Sequence, residues 1–167
     1  STNVAVVLGN LGLAHGALGD HAKARDIQER ALAIEERVHG RDSTQVAMTL
    51  THLGNAYYSL GDYAKARDLQ ERALAIKEQA YGGDHPEVAK TLGNLGNAYR
   101  VLGEYAKARD IMERALAIDE RTYGRDHADV ALTLTNLGNA YGKLGDQVKK
   151  RDVLERALAI NERAYGR

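Results

Sequence analysis

A chain of 167 residues, 44% of them hydrophobic, is long enough to bury the core of one ordinary domain, which argues against disorder. Its 23 Lys and Arg balance 23 Asp and Glu, so no net basic field draws it to nucleic acid. The absence of Cys removes disulfides, thiolate metal sites and Cys nucleophiles together, and no apolar run approaches the roughly 18 residues that span a bilayer. The chain is therefore expected to be soluble and, by default, cytoplasmic. It starts and stops in phase with an internal repeat, as expected of a piece of something longer.

That repeat governs everything else. Leu11, Leu53, Leu95 and Leu137 stand 42 residues apart, as do Gly12, Gly54, Gly96 and Gly138 and, further on, Ala31, Ala73, Ala115 and Ala157. The copies are residues 1–42, 43–84, 85–126 and 127–167 of a single repeat domain. In the second copy, Val46, Leu50, Leu53, Gly54, Tyr57 and Leu60 recur at three- and four-residue intervals, which predicts an amphipathic helix over 44–59. After Gly61, Asp62 is suited to cap a second helix that runs to about residue 81 and buries Ala66, Leu69, Ala73, Ile76 and Ala80. Asp84 and Glu87, three apart around Pro86, read as a capping box for the next copy. On the far face of the second helix, Arg67 with Glu71 and Asp68 with Arg72 form pairs four residues apart on a solvated face.

A glycine in mid-helix costs about 1 kcal/mol against alanine, so the fourfold recurrence of Gly54 calls for a compensating close approach of the partner helix. One such hairpin cannot bury both sides of its apolar stripe. Stacking of neighbours is required, and four copies exceed the usual minimum of about three. The fold class expected is all-α, a right-handed superhelical solenoid of four helix-turn-helix repeats with eight helices.

The run Leu50, Leu53, Gly54, Tyr57, Ala66 and Ala73 resembles the tetratricopeptide consensus. The period is longer than the common 34 residues, and the segment from Tyr81 through Gly82, Gly83, Asp84, His85, Pro86, Glu87 and Val88 to Ala89 is similar to the inter-repeat segment of kinesin light chain and nephrocystin-type repeats. The resemblance implies a concave groove that holds peptide segments of partner proteins. It names no partner, because one fold serves many tasks.

By helical spacing, the groove-facing positions are Val6, Gly9, Leu13, Gly16 and Ala17 in the first copy and Met48, Thr51, Asn55, Tyr58 and Ser59 in the second. They are Lys90, Gly93, Asn97, Arg100 and Val101 in the third and Leu132, Thr135, Asn139, Gly142 and Lys143 in the fourth. The groove thus passes from small and apolar to polar and partly basic. Asn55, Asn97 and Asn139 are the leading candidates, since a carboxamide both donates to and accepts from an extended peptide backbone. Related domains use an asparagine here for that purpose, although Leu13 breaks the series. Asn94 and Asn136 stand at the groove edge. Tyr58, with no counterpart in another copy, suits a contact residue, and Lys90, Arg100 and Lys143 favour an acidic peptide. Thr51, Gly93 and Thr135 stand where the first lysine of a chaperone-type carboxylate clamp would be, which disfavours a chaperone-tail receptor.

Catalysis needs an asymmetric group of residues, and a near-perfect repeat offers none, so no enzyme, cofactor or metal is expected. The six histidines have no zincin spacing, and Gly138 to Lys143 is too short for a phosphate loop. Besides a protein or peptide ligand, the competing reading is self-association. Nothing after Tyr165 resembles a polar closing helix, and one end of a repeat stack is built to receive the other. A third reading makes the repeats the sensor arm of a larger signalling protein. Substitutions such as Gln147, Val148 and Lys150 argue for a natural sequence rather than a consensus-like design.

Overall fold

The computed structural model describes residues 1–166. Among them it holds eight helices and no strand: α1 Thr2–Ala17, α2 His21–His39, α3 Thr44–Ser59, α4 Tyr63–Tyr81, α5 Pro86–Val101, α6 Tyr105–Tyr123, α7 Ala128–Lys143 and α8 Gln147–Tyr165. The chain falls into two compact units, Ser1–Gly83 and Asp84 onward, each carrying two repeats. In the first unit α1 packs on α2, α2 on α3 and α3 on α4; in the second the order α5, α6, α7, α8 packs likewise. The helix predicted over 44–59 is α3, and α4 ends at Tyr81 as expected.

Punctuation is local and repeated. Gly61 takes φ 86°, a left-handed conformation that costs glycine nothing, and lets Asp62 turn back and accept the Lys65 amide at 3.1 Å. Gly82, at φ 84°, ends α4 with its amide on the Glu78 carbonyl. The start of α5 departs from the expected capping box. Pro86 occupies the first turn, which places His85 at the cap, and its Nδ1 accepts the Glu87 amide at 3.1 Å. Asp84 instead receives Arg121 of α6 at 2.9 Å. His127 caps α7 in the same way, and Ser43 caps α3 by accepting the Val46 amide at 3.3 Å.

The buried stripe of α4 is also corrected. Ala66, Ala73 and Ile76 are buried and Leu69 half-buried as predicted, but Ala80 is exposed and Gln70 takes a place in the core. Leu60 lies past the end of α3, at its C-cap, and is exposed. The arginines of the second helices divide, and in α8 Arg151 lies 4.0 Å from Glu155 at the predicted four-residue spacing. Arg67 forks onto its neighbour Asp68, and Arg72 leaves α4 to reach Glu36 of α2 at 2.7 Å and the Arg41 carbonyl at 2.8 Å. Arg156 repeats this in the second unit with Glu120 and the Arg125 carbonyl.

Each hairpin closes on its mid-helix glycine. A Cβ at Gly54 would stand 2.7 Å from Nε2 of Gln70; at Gly12 it would meet Gln28, at Gly96 Met112 and at Gly138 Leu154. The close approach that compensates glycine's helix cost is therefore a side chain of the second helix laid across the first. Neighbouring hairpins are joined by polar contacts as well as by Val46, Leu50 and Leu32. Tyr57 donates to Glu29 at 2.5 Å, and that bond, ahead of burial, pushes the phenol up to about 12. The Thr49 hydroxyl donates to the buried Glu35 at 2.5 Å, and Thr133 donates to the buried Asp119 at 2.9 Å. Burial raises the Asp119 carboxyl above its ordinary range, Asp129 adds to the rise, and Thr133 and His127 oppose it.

Two outcomes follow from these contacts. Gly54→Ala should lower the urea midpoint despite a propensity gain of about 1 kcal/mol, because the new methyl displaces an amide held by two hydrogen bonds; Gly96→Ala should be closer to neutral, since the Met112 thioether can bend away. For Asp119, the folded value lies above the unfolded one, so its contribution is fully present below the ordinary carboxylate range and is lost as pH rises through the raised value. Asp119→Asn should therefore match or exceed the parent in unfolding midpoint at pH 7, with the difference narrowing toward pH 4.

Candidate functional site

The groove candidates lie on the first helices, α1 and α3 in one unit and α5 and α7 in the other. In the first unit a cleft of about 210 Å³ opens between α1, α2 and α3. Gly16 adds no side chain to it, where the equivalent residue of repeat 2 is Tyr58, and Ala17 stands at the position of Ser59. Its walls are Gly12, Leu13, Gly16 and Ala17 of α1, Ala24 and Gln28 of α2, and Asn55 and Ala56 of α3, with His21, His52 and Ser59 completing it.

Two glutamines from the second helices support this face from below. Gln28 is 1% exposed and donates through Nε2 to the Gly9 carbonyl at 3.0 Å, while its Oε1 is buried without a partner. Gln70 donates through Nε2 both to the Thr51 carbonyl, at 3.1 Å, and to Oδ1 of Asn55, at 3.0 Å. Its own Oε1 is likewise unpartnered. The consequence for Asn55 is directional. With Oδ1 held by Gln70, the exposed carboxamide turns its nitrogen outward as a donor.

The other candidates are less alike than their spacing suggested. Asn139 is exposed and Asn97 half-buried, and beneath them stand Met112 and Leu154, which offer no hydrogen bond to fix either amide. Asn94 and Asn136 are half-buried. Tyr58 is half-buried and makes an edge-to-face contact with Tyr63, with ring centroids 5.1 Å apart, so part of its surface is spent within the hairpin. Lys90 pairs with Glu87 at 2.8 Å, which neutralises much of its charge. Arg100 is half-buried with its Nε lacking a partner, and Lys143 is exposed. The structure thus brings Asn55 together with the cleft in the first unit and leaves Arg100, Asn97, Asn139 and Lys143 on first helices of the second.

Sequence reasoning missed Gln28 and Gln70. A signal was present: they align with Met112 and Leu154, so the position is one that also takes large apolar residues and is buried whatever its chemistry. Among the described residues no helix is long and apolar enough to cross a membrane.

Comparison with known proteins agrees with this architecture. The family model described as tetratricopeptide repeat matches residues 3–79, 45–120 and 87–163. No curated protein sequence matches the chain. Among solved structures, BtubC (BKLC) from P. vanneervenii superposes with a TM-score of 0.91 at 26% identity, over 100% of this chain and 67% of its own. A putative kinesin light chain of Podosopora anserina with nearly identical TPR-like repeats gives 0.85 at 22% identity, over 96% of this chain and 76% of its own. The apo form of RapI gives 0.87 at 18% identity, over 98% of this chain and 58% of its own.

Proposed function

The chain belongs to the tetratricopeptide repeat family, whose repeats are protein-interaction scaffolds, and from that premise we propose that it binds an extended peptide segment of a partner protein along its first helices. The observation that carries this reading is the orientation of Asn55. A donor fixed from behind by Gln70 and open in front is suited to a peptide carbonyl, and it contributes the same hydrogen bond whatever the peptide's side chains. Asn97 and Asn139 extend the series in the second unit. Arg100 and Lys143 give that unit a basic character, which favours acidic residues in the part of the peptide it meets.

Selection of a displayed peptide library on the protein is the direct test. Peptides sharing a motif should enrich, and Asn55→Ala should weaken the best of them by about five- to tenfold, the loss of one well-made hydrogen bond. The variant carrying Asn55→Ala, Asn97→Ala and Asn139→Ala should bind none of them measurably. Enrichment that is indifferent to all three asparagines would reject the assignment.

A second reading, association of copies end to end, is favoured by one observation. Val4 and Leu11 of α1 are exposed to 47% and 45%, whereas their equivalents Val46 and Leu53 in α3 are 0% and 2% exposed. A surface with the chemistry of an internal repeat interface is competent to receive another second helix. Sedimentation over a rising concentration series should show association that Val4→Asp abolishes. A monomer at every concentration removes the reading.

A further inference from the structure

The fourth copy departs from the other three at a position of its second helix. Ala24, Ala66 and Ala108 stand there in the first three, each 3% exposed or less, and the fourth has Lys150, half-buried. The residue that faces this position from the first helix is Gly142. A Cβ at Gly142 would lie 2.9 Å from Cδ of Lys150 and 3.2 Å from its Nζ, so the lysine of α8 runs over α7 through the space that the glycine leaves. In the first copy the same two positions, Gly16 and Ala24, are walls of the cleft.

Closure of the hairpin does not require this lysine, since a methyl group serves at the same place three times. No acid of the chain holds it either. Among the described residues neither Lys150 nor the exposed Lys143, next to Gly142, has a carboxylate partner. Asp146, in the turn of the same hairpin, is occupied by the Lys149 ammonium at 3.7 Å and by the Lys149 amide at 3.0 Å. Lys23, Lys90 and Lys107, by contrast, each pair with an acid three residues away. A half-buried ammonium has lost part of its hydration, and here no counter-charge replaces it.

The third copy has the reverse arrangement, with Arg100 on the first helix and Ala108 on the second. Repeats 3 and 4 thus present a cation at one level of the repeat by two routes. We propose that Lys150, with Lys143 beside it, forms a subsite on α7 for the carboxylate of an aspartate or glutamate in the bound peptide, and so determines part of the peptide's sequence. Both ammonium groups donate to that carboxylate, and Asn139, one helical turn before Gly142, holds the backbone next to it. The inference rests on the peptide-binding reading and adds to it a specificity residue on a second helix, which spacing along the first helices does not find.

The displayed library is selected in parallel on the 167-residue protein, on Lys150→Ala, and on Lys150→Ala combined with Gly142→Arg. The single variant installs the residue of the other three copies and should fold as the parent does; the double variant copies Arg100 and Ala108. Parent-selected peptides should carry an Asp or Glu that peptides selected on Lys150→Ala lack and that the double variant regains. Arg100 is unchanged in all three proteins, so an acid that it selects is common to them. For the best parent peptide, changing that acid to its amide should weaken binding about tenfold, the loss of one charge-assisted hydrogen bond, and should matter little to Lys150→Ala. An acid preference that is the same on the parent and on Lys150→Ala, or a loss that the double variant does not restore, overturns the subsite and leaves the groove standing. No enrichment on any of the three proteins removes the peptide-binding reading and the subsite with it.

Discussion

The hairpin of this protein depends on one steric condition: at the middle of each first helix there is no side chain, so that a long side chain of the second helix can cross it. Gly12, Gly54, Gly96 and Gly138 meet that condition four times, against Gln28, Gln70, Met112 and Leu154. A Cβ at any of the four glycines would meet the crossing side chain, which must shift or be displaced to admit it. The crossing residue is free to vary because only its bulk is needed for closure. That asymmetry is how a near-perfect repeat acquires local chemistry. Amides in the first unit bond to Gly9, Thr51 and Asn55, whereas a thioether and an isobutyl group in the second fill the same space in silence.

Much of the architecture was legible in the sequence because it follows from periodicity. Helix spacing locates α3 and α4 within a residue or so, and the cost of a recurrent mid-helix glycine by itself implies a close approach. The misreadings share a physical cause. Asp84, Arg72 and Ala80 were assigned by neighbours in the chain, but each is governed by the adjacent helix or turn: Asp84 by Arg121, Arg72 by Glu36, and Ala80 by the absence of anything packed on it sufficient to bury it. The candidate site divided in the same manner. Spacing identified Asn55 as outward-facing, but its orientation comes from Gln70, fifteen residues away, and Gly16 adds no side chain to the cleft beside it.

Charge in this chain is spent on adjacency rather than on field. With equal numbers of acids and bases, many of the ionic groups tie one element to the next: Arg156 to Glu120, Arg163 to Asp126 and Arg121 to Asp84. The last two pairs are mostly exposed, and contacts of that kind contribute on the order of 0–1 kcal/mol each. Their value lies in number and geometry. The hydroxyls of Tyr57 and Tyr141, each donated to a glutamate of the preceding second helix, do similar work with less dependence on salt.

The contacts that couple adjacent hairpins are themselves repeated, and this bears on how the molecule reaches its native state. A tyrosine from one copy can donate to the glutamate of any other, and an arginine will find an equivalent carbonyl in each, so these bonds cannot tell a hairpin which neighbour is its own. Discrimination falls to the few buried positions that differ, among them Glu35, Lys77 and Asp119, which lie at one repeat position. A chain with so few labels is prone to pairing out of order during refolding, and at high concentration to exchanging hairpins between molecules. The uniformity that makes each interface dependable in the finished protein makes the route to it permissive, and the irregular residues serve as address marks along the way.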